Sequence, residues 1–535
     1  MTVQFAGQFR LTATKATRWT LLAITWVAFL VRVVNLSTQS LWRDEVDAIR
    51  FSGWSLSELL AGLFREGHNG PLFFLLLRFG RYLTGDSEFA LRYPSAWLGV
   101  VAVPLSFALA RQLKLPRSVG LLLGLLLATS PYLVWYGQEA KMYTLLLALI
   151  TLAVIAYLKA LTGSRLLALP RWGWWIVFVA ATTLSYYTHI LAPLMLPVYG
   201  VIAALNYVNL RQHWRGWLIS MIVLTLPYLP LALWQLPLLY RDFQSGHPFY
   251  PLREQFYLLL QLYSGGLIRF APADLLPAAL AAPGNLPGIL SRLVTVLQQP
   301  TAGLSPLFLY VFLFLCSLFL RPNTGQVITL TRRITLAAWT LLPPLLVYLI
   351  SLRVRVFEDR YLIYIVPAFY LLAAVGLWLV KTYARWLAGV CLALLIVVNV
   401  TGMWQQQRRP IKADFRAAAA YLSAQPIKPT VIMIQIPYLQ HTFNYYYHAD
   451  YKLREGLWTN DNKTEASAAA EMAALTADIS DLWLVVSEED LWDKRHLTRT
   501  WLNQNASLVD EAHFMRVDVY HYLLRPGEIE TPSVK

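Results

Sequence analysis

Five short stretches of this chain hold residues able to do chemistry. Ser40-Leu41-Trp42-Arg43-Asp44-Glu45 sets two adjacent carboxylates beside a tryptophan and an arginine. That grouping suits a general base, a substrate clamp or a divalent cation. The plainer reading is an interfacial tryptophan anchor with solvated charges. His68-Asn69-Gly70-Pro71-Leu72 offers His68 as a substrate hydrogen-bonder, and its Gly-Pro step starts a helix at Pro71. Loop histidines are more often structural. Trp135-Tyr136-Gly137-Gln138-Glu139-Ala140-Lys141-Met142-Tyr143 places a carboxylate and an ammonium at the mouth of an apolar helix. They either face substrate together or form a capping pair, with Glu139 near a helix N-terminus where the dipole favours it. Tyr186-Tyr187-Thr188-His189 can stack on a sugar or hydrogen-bond it, and equally suits an aromatic belt. Arg353-Val354-Arg355-Val356-Phe357-Glu358-Asp359-Arg360-Tyr361 brings arginines whose planar forks suit an anion such as phosphate. An internal Arg–Glu/Asp network is the competing reading.

The elements that must position these groups are apolar. The 535 residues are 57% hydrophobic and 14% charged, with a mean hydropathy of +0.47. Soluble domains average about 25% charged, so a soluble enzyme is excluded, as are disorder, collagen and coiled coil. Runs of about 20 apolar residues point to a polytopic helical membrane protein. They do not alternate as barrel strands would. Residues 1–403 carry 31 Lys+Arg against 13 Asp+Glu, whereas residues 404–535 carry 14 against 17. The basic excess therefore lies in the membrane part, where cytoplasmic loops account for it, and nucleic acid is not a partner.

Placing basic loops inside predicts eleven spans. They run at about 18–34, 89–110, 118–135, 142–161, 172–188, 190–208, 216–235, 304–320, 334–350, 361–380 and 386–403. The N-terminus is then cytoplasmic, and the first span follows Arg10, Lys15 and Arg18 uncleaved. Long outer loops fall at 35–88 and 236–303. Pro71–Leu83 is apolar, short and holds Arg78 and Arg81, so it reads as an interfacial or re-entrant helix. Were it to span, every later side would invert. Asp44, His68, Glu139, His189 and Arg360 all fall on the outer side of this topology. Outer arginines run against the positive-inside bias, which strengthens an anionic ligand as their purpose.

Residues 404–535 read as a soluble extracytoplasmic α/β domain. Strand-like runs at Thr430–Gln435, Asp481–Ser487 and Val517–Leu524 alternate with helix-like runs at Ala413–Ser423, Glu465–Thr476 and Leu497–Gln504. Tyr438 and Tyr445–Tyr447 suit either carbohydrate stacking or, preferably, a core. Cys316 and Cys391 lie in apolar runs and make no disulfide framework. No phosphate-cradling glycine loop supports a nucleotide donor. His441 and His448 lack a clear third zinc ligand. The Asn35, Asn462 and Asn505 triplets are uninformative about glycosylation.

Four stretches together resemble the GT-C superfamily of polytopic glycosyltransferases, nearest glycosyltransferase family 39 and the protein-mannosyltransferase-like proteins. Ser40–Glu45 resembles the family's aspartate-glutamate motif, and His68–Leu77 its His-x-Pro-Pro-Leu stretch. Ser87–Ala96 resembles its arginine-leucine-proline-serine run, and Gln138–Tyr143 its Gln-Glu-Ala-Arg-Met-Tyr motif. The likeness is strong over 30–145, moderate over Glu358–Pro367 and architectural elsewhere. Gly70 replaces the family's first proline, and Lys141 its arginine.

The resemblance implies a GT-C fold of about eleven transmembrane helices over 1–403 and transfer from a polyprenyl-phosphate sugar in the outer leaflet. The acceptor is a hydroxyl on a lipid, glycan or protein, and the anomeric carbon inverts. It implies Asp44 as general base and Glu45 as a positioning group. Arg360 and Lys141, with Arg355 behind them, would neutralise the leaving phosphate, while Glu139, His68, Gln138, Tyr143 and His189 would line the substrate pocket. Near relatives are mostly metal-independent, although an Asp-Glu pair also suits a divalent cation. The enzyme would sit in the cell membrane. A lipid or glycan transporter or flippase is the alternative, but few charges lie at span centres and no inverted repeat is visible. A non-catalytic scaffold would have no need of Asp44, Glu139 and Arg360 on one face.

Overall fold

The computed structural model describes residues 2–62, 69–163, 170–229, 249–267, 306–321, 329–408, 410–461 and 463–524. These form two compact units. One comprises residues 1–36 and 54–408, and the other residues 37–53 and 409–535.

The first unit is helical. Among its described residues six helices are long and apolar enough to cross a membrane: Thr14–Val33, Glu88–Gln112, Tyr143–Thr162, Leu330–Ser351, Asp359–Tyr383 and Arg385–Arg408. A bent pair, Arg117–Thr129 and Pro131–Gly137, makes up to seven. This is fewer than the eleven the apolar windows suggest. Span five is the 16-residue helix Arg171–Tyr186. Span six is broken into a 3-10 turn, Ala192–Met195, and the helix Leu196–Leu205. The helix Tyr207–Thr225, on which span seven begins, is kinked at His213. Span eight is the 14-residue helix Pro306–Phe319. Averaged hydropathy does not register such breaks, because flanking apolar residues mask them. Leu72–Thr84 is a helix of 13 residues, as its short apolar run suggests. Most of the loop 236–303 lies outside the described residues, although Leu252–Gly265 within it is helical.

Burial sorts these helices. Thr14–Val33 keeps Trp19, Leu22, Trp26 and Leu30 exposed, as a lipid-facing helix should. Tyr143–Thr162 and Asp359–Tyr383 are almost wholly enclosed. At Gly376 a Cβ would overlap the Leu313 carbonyl, so glycine lets the last of these lie against Pro306–Phe319 backbone to backbone.

The bend at Ser130–Pro131 has a visible cause. Proline cannot continue the hydrogen-bond ladder. Ser130 Oγ caps the new helix by accepting from Leu133 N at 3.2 Å. The carbonyls stranded at the end of Arg117–Thr129 are taken up by buried Arg32. Its guanidinium donates to Leu127 O at 2.8 Å, Ala128 O at 3.0 Å and Ala28 O at 3.1 Å.

The second unit holds a five-stranded sheet in the order β2-β1-β3-β5-β4. Its strands are β1 (Val431–Ile434), β2 (Lys452–Glu455), β3 (Asp481–Val486), β4 (Ala506–Phe514) and β5 (Val517–Leu524). β2, β1 and β3 pair in parallel, whereas β3, β5 and β4 are antiparallel. Helices cover both faces and produce two cores. One gathers Phe415, Leu422, Phe443 and Tyr447, and the other Met472, Trp501, Leu502 and Tyr522. Burial on both faces explains why β1 and β3 read as unbroken apolar runs. The edge strand β4 is mostly exposed and carries a register shift between Leu508 and Asp510.

Residues 37–53 belong to this unit, whereas the sequence boundary at 403/404 leaves them with the membrane part. Ser40 Oγ donates to Ala413 O at 2.6 Å, Leu41 N donates to the Tyr446 hydroxyl at 2.6 Å, and Gln39 Oε1 accepts from Lys412 N at 3.2 Å. Tyr446 therefore holds backbone, while Tyr447 lies in the core.

Candidate functional site

The candidate residues fall in both units. In the second unit, Asp44 and Glu45 open the helix Arg43–Ser52, where the dipole favours acids. Helical geometry turns neighbours about 100° apart, and the two carboxylates part accordingly. Glu45 is 0% exposed; its Oε2 accepts from Lys412 Nζ at 2.9 Å and from Trp42 N at 3.4 Å. Asp44 keeps a 17% exposed side chain, with Oδ1 3.5 Å from Arg43 Nε. Arg43 is itself braced by Glu488 at 3.2 Å and the Tyr438 hydroxyl at 3.1 Å. Asp44 is thus the less buried of the two carboxylates. A divalent ion does not fit the pair, because Glu45 is bound to Lys412. Among the described residues no three or more His, Cys, Asp or Glu side chains gather as a metal site. Lys412 carries no sequence signal, since it is a lone lysine 367 residues from its partner.

In the first unit, Glu139, Lys141 and His189 are all buried. The break between Pro131–Gly137 and Tyr143–Thr162 exposes backbone that neighbouring motifs bind. Ser95 Oγ donates to Lys141 O at 2.9 Å, and Thr144 Oγ1 donates to Ser95 O at 2.8 Å. Arg92, also buried, donates to Leu36 O at 2.9 Å. The stretch Arg92–Ser95 therefore anchors the stretch Gln138–Lys141. Gln138 itself caps a helix, its amide donating to Val34 O at 3.0 Å and Arg32 O at 3.2 Å. Tyr143 packs its ring against Tyr136 at 5.1 Å.

The third part of this cluster comes from 357–361. Tyr136 donates to Asp359 Oδ2 at 2.9 Å, while Tyr132 and Tyr263 donate to Asp359 O at 3.0 and 3.2 Å. Three hydroxyls thus fix the turn that carries Arg360. Asp359 belongs to the Arg353–Tyr361 stretch, and its partners are tyrosines of distant helices. Arg360 pairs with Glu358 at 3.8 Å and lies over the Tyr361 ring at 5.6 Å. Arg355 is exposed. His189 lies 4.9 Å from the Tyr361 ring. Burial, then the charges of Arg360 and Lys141, hold its imidazole well below the ordinary range, at about 3. Arg360 and His189 both lie against the Tyr361 ring, and Lys141 is buried in the same unit; His68 lies outside the described residues.

Gly70 meets the same region. Leu72 N donates to Tyr187 O at 3.0 Å, and a Cβ on Gly70 would overlap that carbonyl. The proline of the resembled motif would meet the same obstacle.

Residues 68–234 match the model of the family described as dolichyl-phosphate-mannose-protein mannosyltransferase. Among solved structures, ArnT from Cupriavidus metallidurans in the apo state is 16% identical with a TM-score of 0.51, covering 95% of this chain and 98% of that one. The Archaeoglobus fulgidus oligosaccharyltransferase complex with Zn and sulfate is 13% identical with a TM-score of 0.51, covering 90% of this chain and 69% of that one. No curated protein sequence matches. The chain thus shares its fold with these two solved proteins, and its residues 68–234 are similar to the dolichyl-phosphate-mannose-protein mannosyltransferase family.

Proposed function

We propose that this chain transfers a sugar from a polyprenyl-phosphate donor to an acceptor hydroxyl at the outer face of the cell membrane, inverting the anomeric carbon. The observation that carries this reading is the group of basic residues in the helical unit, in which Arg360 and buried His189 both lie against the Tyr361 ring and Lys141 is buried as well. Such a group suits a phosphate dianion, and charge grows on that phosphate as the glycosidic bond breaks. The matched family acts on dolichyl-phosphate-mannose by its own description, and Lys141 and His189 fall within the matched residues.

In this reading Asp44 is the base. It accepts the acceptor hydroxyl's proton while the oxygen bonds to the anomeric carbon. The bond from that carbon to the phosphate oxygen breaks, and its electron pair leaves with polyprenyl phosphate. Arg360 and Lys141 neutralise the departing oxygens, with Glu139, His68, Tyr143 and Arg355 assigned to the substrate around them. Gln138 and Glu45 serve in support, by capping and by pairing with Lys412. A GT-C fold does not favour the transporter reading. The N-terminus is assigned to the cytoplasm and the second unit to the outer side.

The test is release of polyprenyl phosphate by purified protein in nanodiscs from a panel of polyprenyl-phosphate sugars, each with a candidate lipid, glycan or peptide acceptor. Release with one donor, lost in Asp44→Asn, supports transfer and names the sugar. Donor that only crosses the bilayer intact would make the protein a transporter.

A further inference from the structure

The second unit displays aromatic rings that its two cores do not use. Trp458 and Tyr438 belong to neither core and are 40% and 36% exposed. The half-buried Trp492 touches both, its ring centroid 4.6 Å from that of Trp458 and 5.8 Å from that of Tyr438. The loop that carries Trp458 is held in place. Thr459 N donates to Trp492 O at 3.0 Å, and Thr459 Oγ1 donates to the buried Asp493 carboxylate at 2.5 Å. Trp492 Nε1 donates to Gly456 O at 3.3 Å. Tryptophan and tyrosine on a fixed frame offer a large, rigid contact at little entropic cost. These rings lead to the proposed base. Arg43 lies over the Tyr438 ring, 5.3 Å from its centroid, and donates to its hydroxyl at 3.1 Å. Arg43 Nε is in turn 3.5 Å from Asp44 Oδ1.

The charges beside the rings are balanced. Asp44 and Glu488 share Arg43, with Glu488 Oε2 at 3.2 Å, and Glu488 Oε1 lies 3.8 Å from Arg516. The next pair on the helix, Asp47 and Arg50 at 3.5 Å, balances too. These paired charges favour a neutral ligand over a phosphate or a cation. None of the three rings stands on a strand, where the sheet edge would bind an extended peptide. An alkyl chain would gain nothing from the bordering ion pairs. A pyranose suits both parts. Its apolar C–H face packs on an aromatic ring, and paired carboxylates keep lone pairs that accept from its hydroxyls. We propose that Trp458 and Tyr438, backed by Trp492, bind a neutral sugar ring of the acceptor, so that the acceptor is a glycan. This rests on the transferase reading above and names its acceptor class, whereas sugar binding itself is measured apart from catalysis.

The experiment measures binding to the full-length protein in nanodiscs by saturation-transfer NMR. The probes are linear neutral oligosaccharides of glucose, mannose or galactose, with inorganic phosphate as a competitor. Wild type is compared with Trp458→Ala, Trp458→Phe and Asp44→Asn, each checked for thermal stability. Loss of an aromatic anchor weakens binding by roughly 5- to 30-fold. We expect a neutral oligosaccharide to bind, Trp458→Ala to weaken it by that factor, and Trp458→Phe to recover most of the loss. Phosphate should not compete. Asp44→Asn should still bind the oligosaccharide, because the rings carry the affinity, while transfer onto it is lost. Absence of binding by every neutral oligosaccharide would overturn the proposal, as would equal binding by wild type and a stable Trp458→Ala. Displacement by phosphate would overturn the neutral ligand. Transfer onto a peptide or a lipid without sugar, indifferent to Trp458→Ala, would overturn the glycan acceptor. Trp458-dependent sugar binding with no turnover of any donor would keep the sugar site and remove the transferase reading instead.

Discussion

Asp44 and Glu45 are adjacent acids with opposite fates, and about 100° of rotation about the helix axis separates them. Glu45 is sealed against Lys412, while Asp44 stays accessible. Removing one partner of a buried ion pair strands the other charge and costs about 3–5 kcal/mol. Glu45→Gln should therefore lower the unfolding midpoint markedly, whereas Asp44→Asn should leave it near wild type and abolish transfer. Thermal unfolding and donor turnover on the same samples check both. If Glu45→Gln melts like wild type, the pairing is wrong. His189 adds a pH dependence. A base whose folded pKa of about 3 lies below its unfolded 6.5 binds fewer protons when folded. Its contribution is fully present above pH 6.5 and is lost progressively as pH falls toward 3. The wild-type unfolding midpoint should fall more steeply than that of His189→Gln between pH 6.5 and 4.5. Parallel curves would mean the ring is protonated in the fold.

At the scale of elements, backbone breaks need side chains to close them. Arg32 closes one of them, between Arg117–Thr129 and Pro131–Gly137. Its planar fork reaches two successive carbonyls, which a lysine does not reproduce. Arg32→Lys and Arg32→Met should both destabilise the protein, by about 1–3 kcal/mol for each carbonyl left without a donor. Thermal unfolding in detergent measures this, and a midpoint unchanged in Arg32→Met would remove the cap from the account. Gly70→Ala should displace the Tyr187 carbonyl, and with it His189. It should weaken undecaprenyl phosphate while leaving the far helices protected in hydrogen exchange. Protection lost throughout would instead mark a general packing defect. These contacts also show what the sequence makes legible. Apolar runs, basic loops and the unbroken β1 and β3 patterns follow from local burial and can be read in one dimension. The acids at 44 and 45 and the cations at 141 and 360 stand out because charge is expensive near lipid. Arg32, Lys412 and the tyrosines around Asp359 do not stand out. Each acts on backbone or on a partner far along the chain, so its type alone says nothing of its role. Arg92 and Gln138 drew notice as parts of motifs, yet their contacts are to main-chain carbonyls.

At the scale of the molecule, chain order and packing part company. A segment of seventeen residues, 37–53, leaves the helical unit and packs with a domain that begins more than 350 residues later. The ties are of several kinds: a buried ion pair, a serine and a tyrosine on backbone atoms, and Arg43 between Tyr438 and Glu488. The segment carries the proposed base, so the sheet-bearing unit is more than an appendage to catalysis: its order sets the order of Asp44. Hydrogen exchange on the whole protein in nanodiscs should therefore show the helix Arg43–Ser52 protected to the same degree as the helix Phe415–Ala424. Lys412→Met leaves Glu45 buried without its cation, and should raise exchange in both helices together while sparing Tyr143–Thr162. It should also reduce transfer, although Lys412 touches no substrate in this scheme. Exchange at 43–52 that is fast in wild type and indifferent to Lys412→Met would mean that the base sits on an independent loop, and the second unit would lose its part in positioning it.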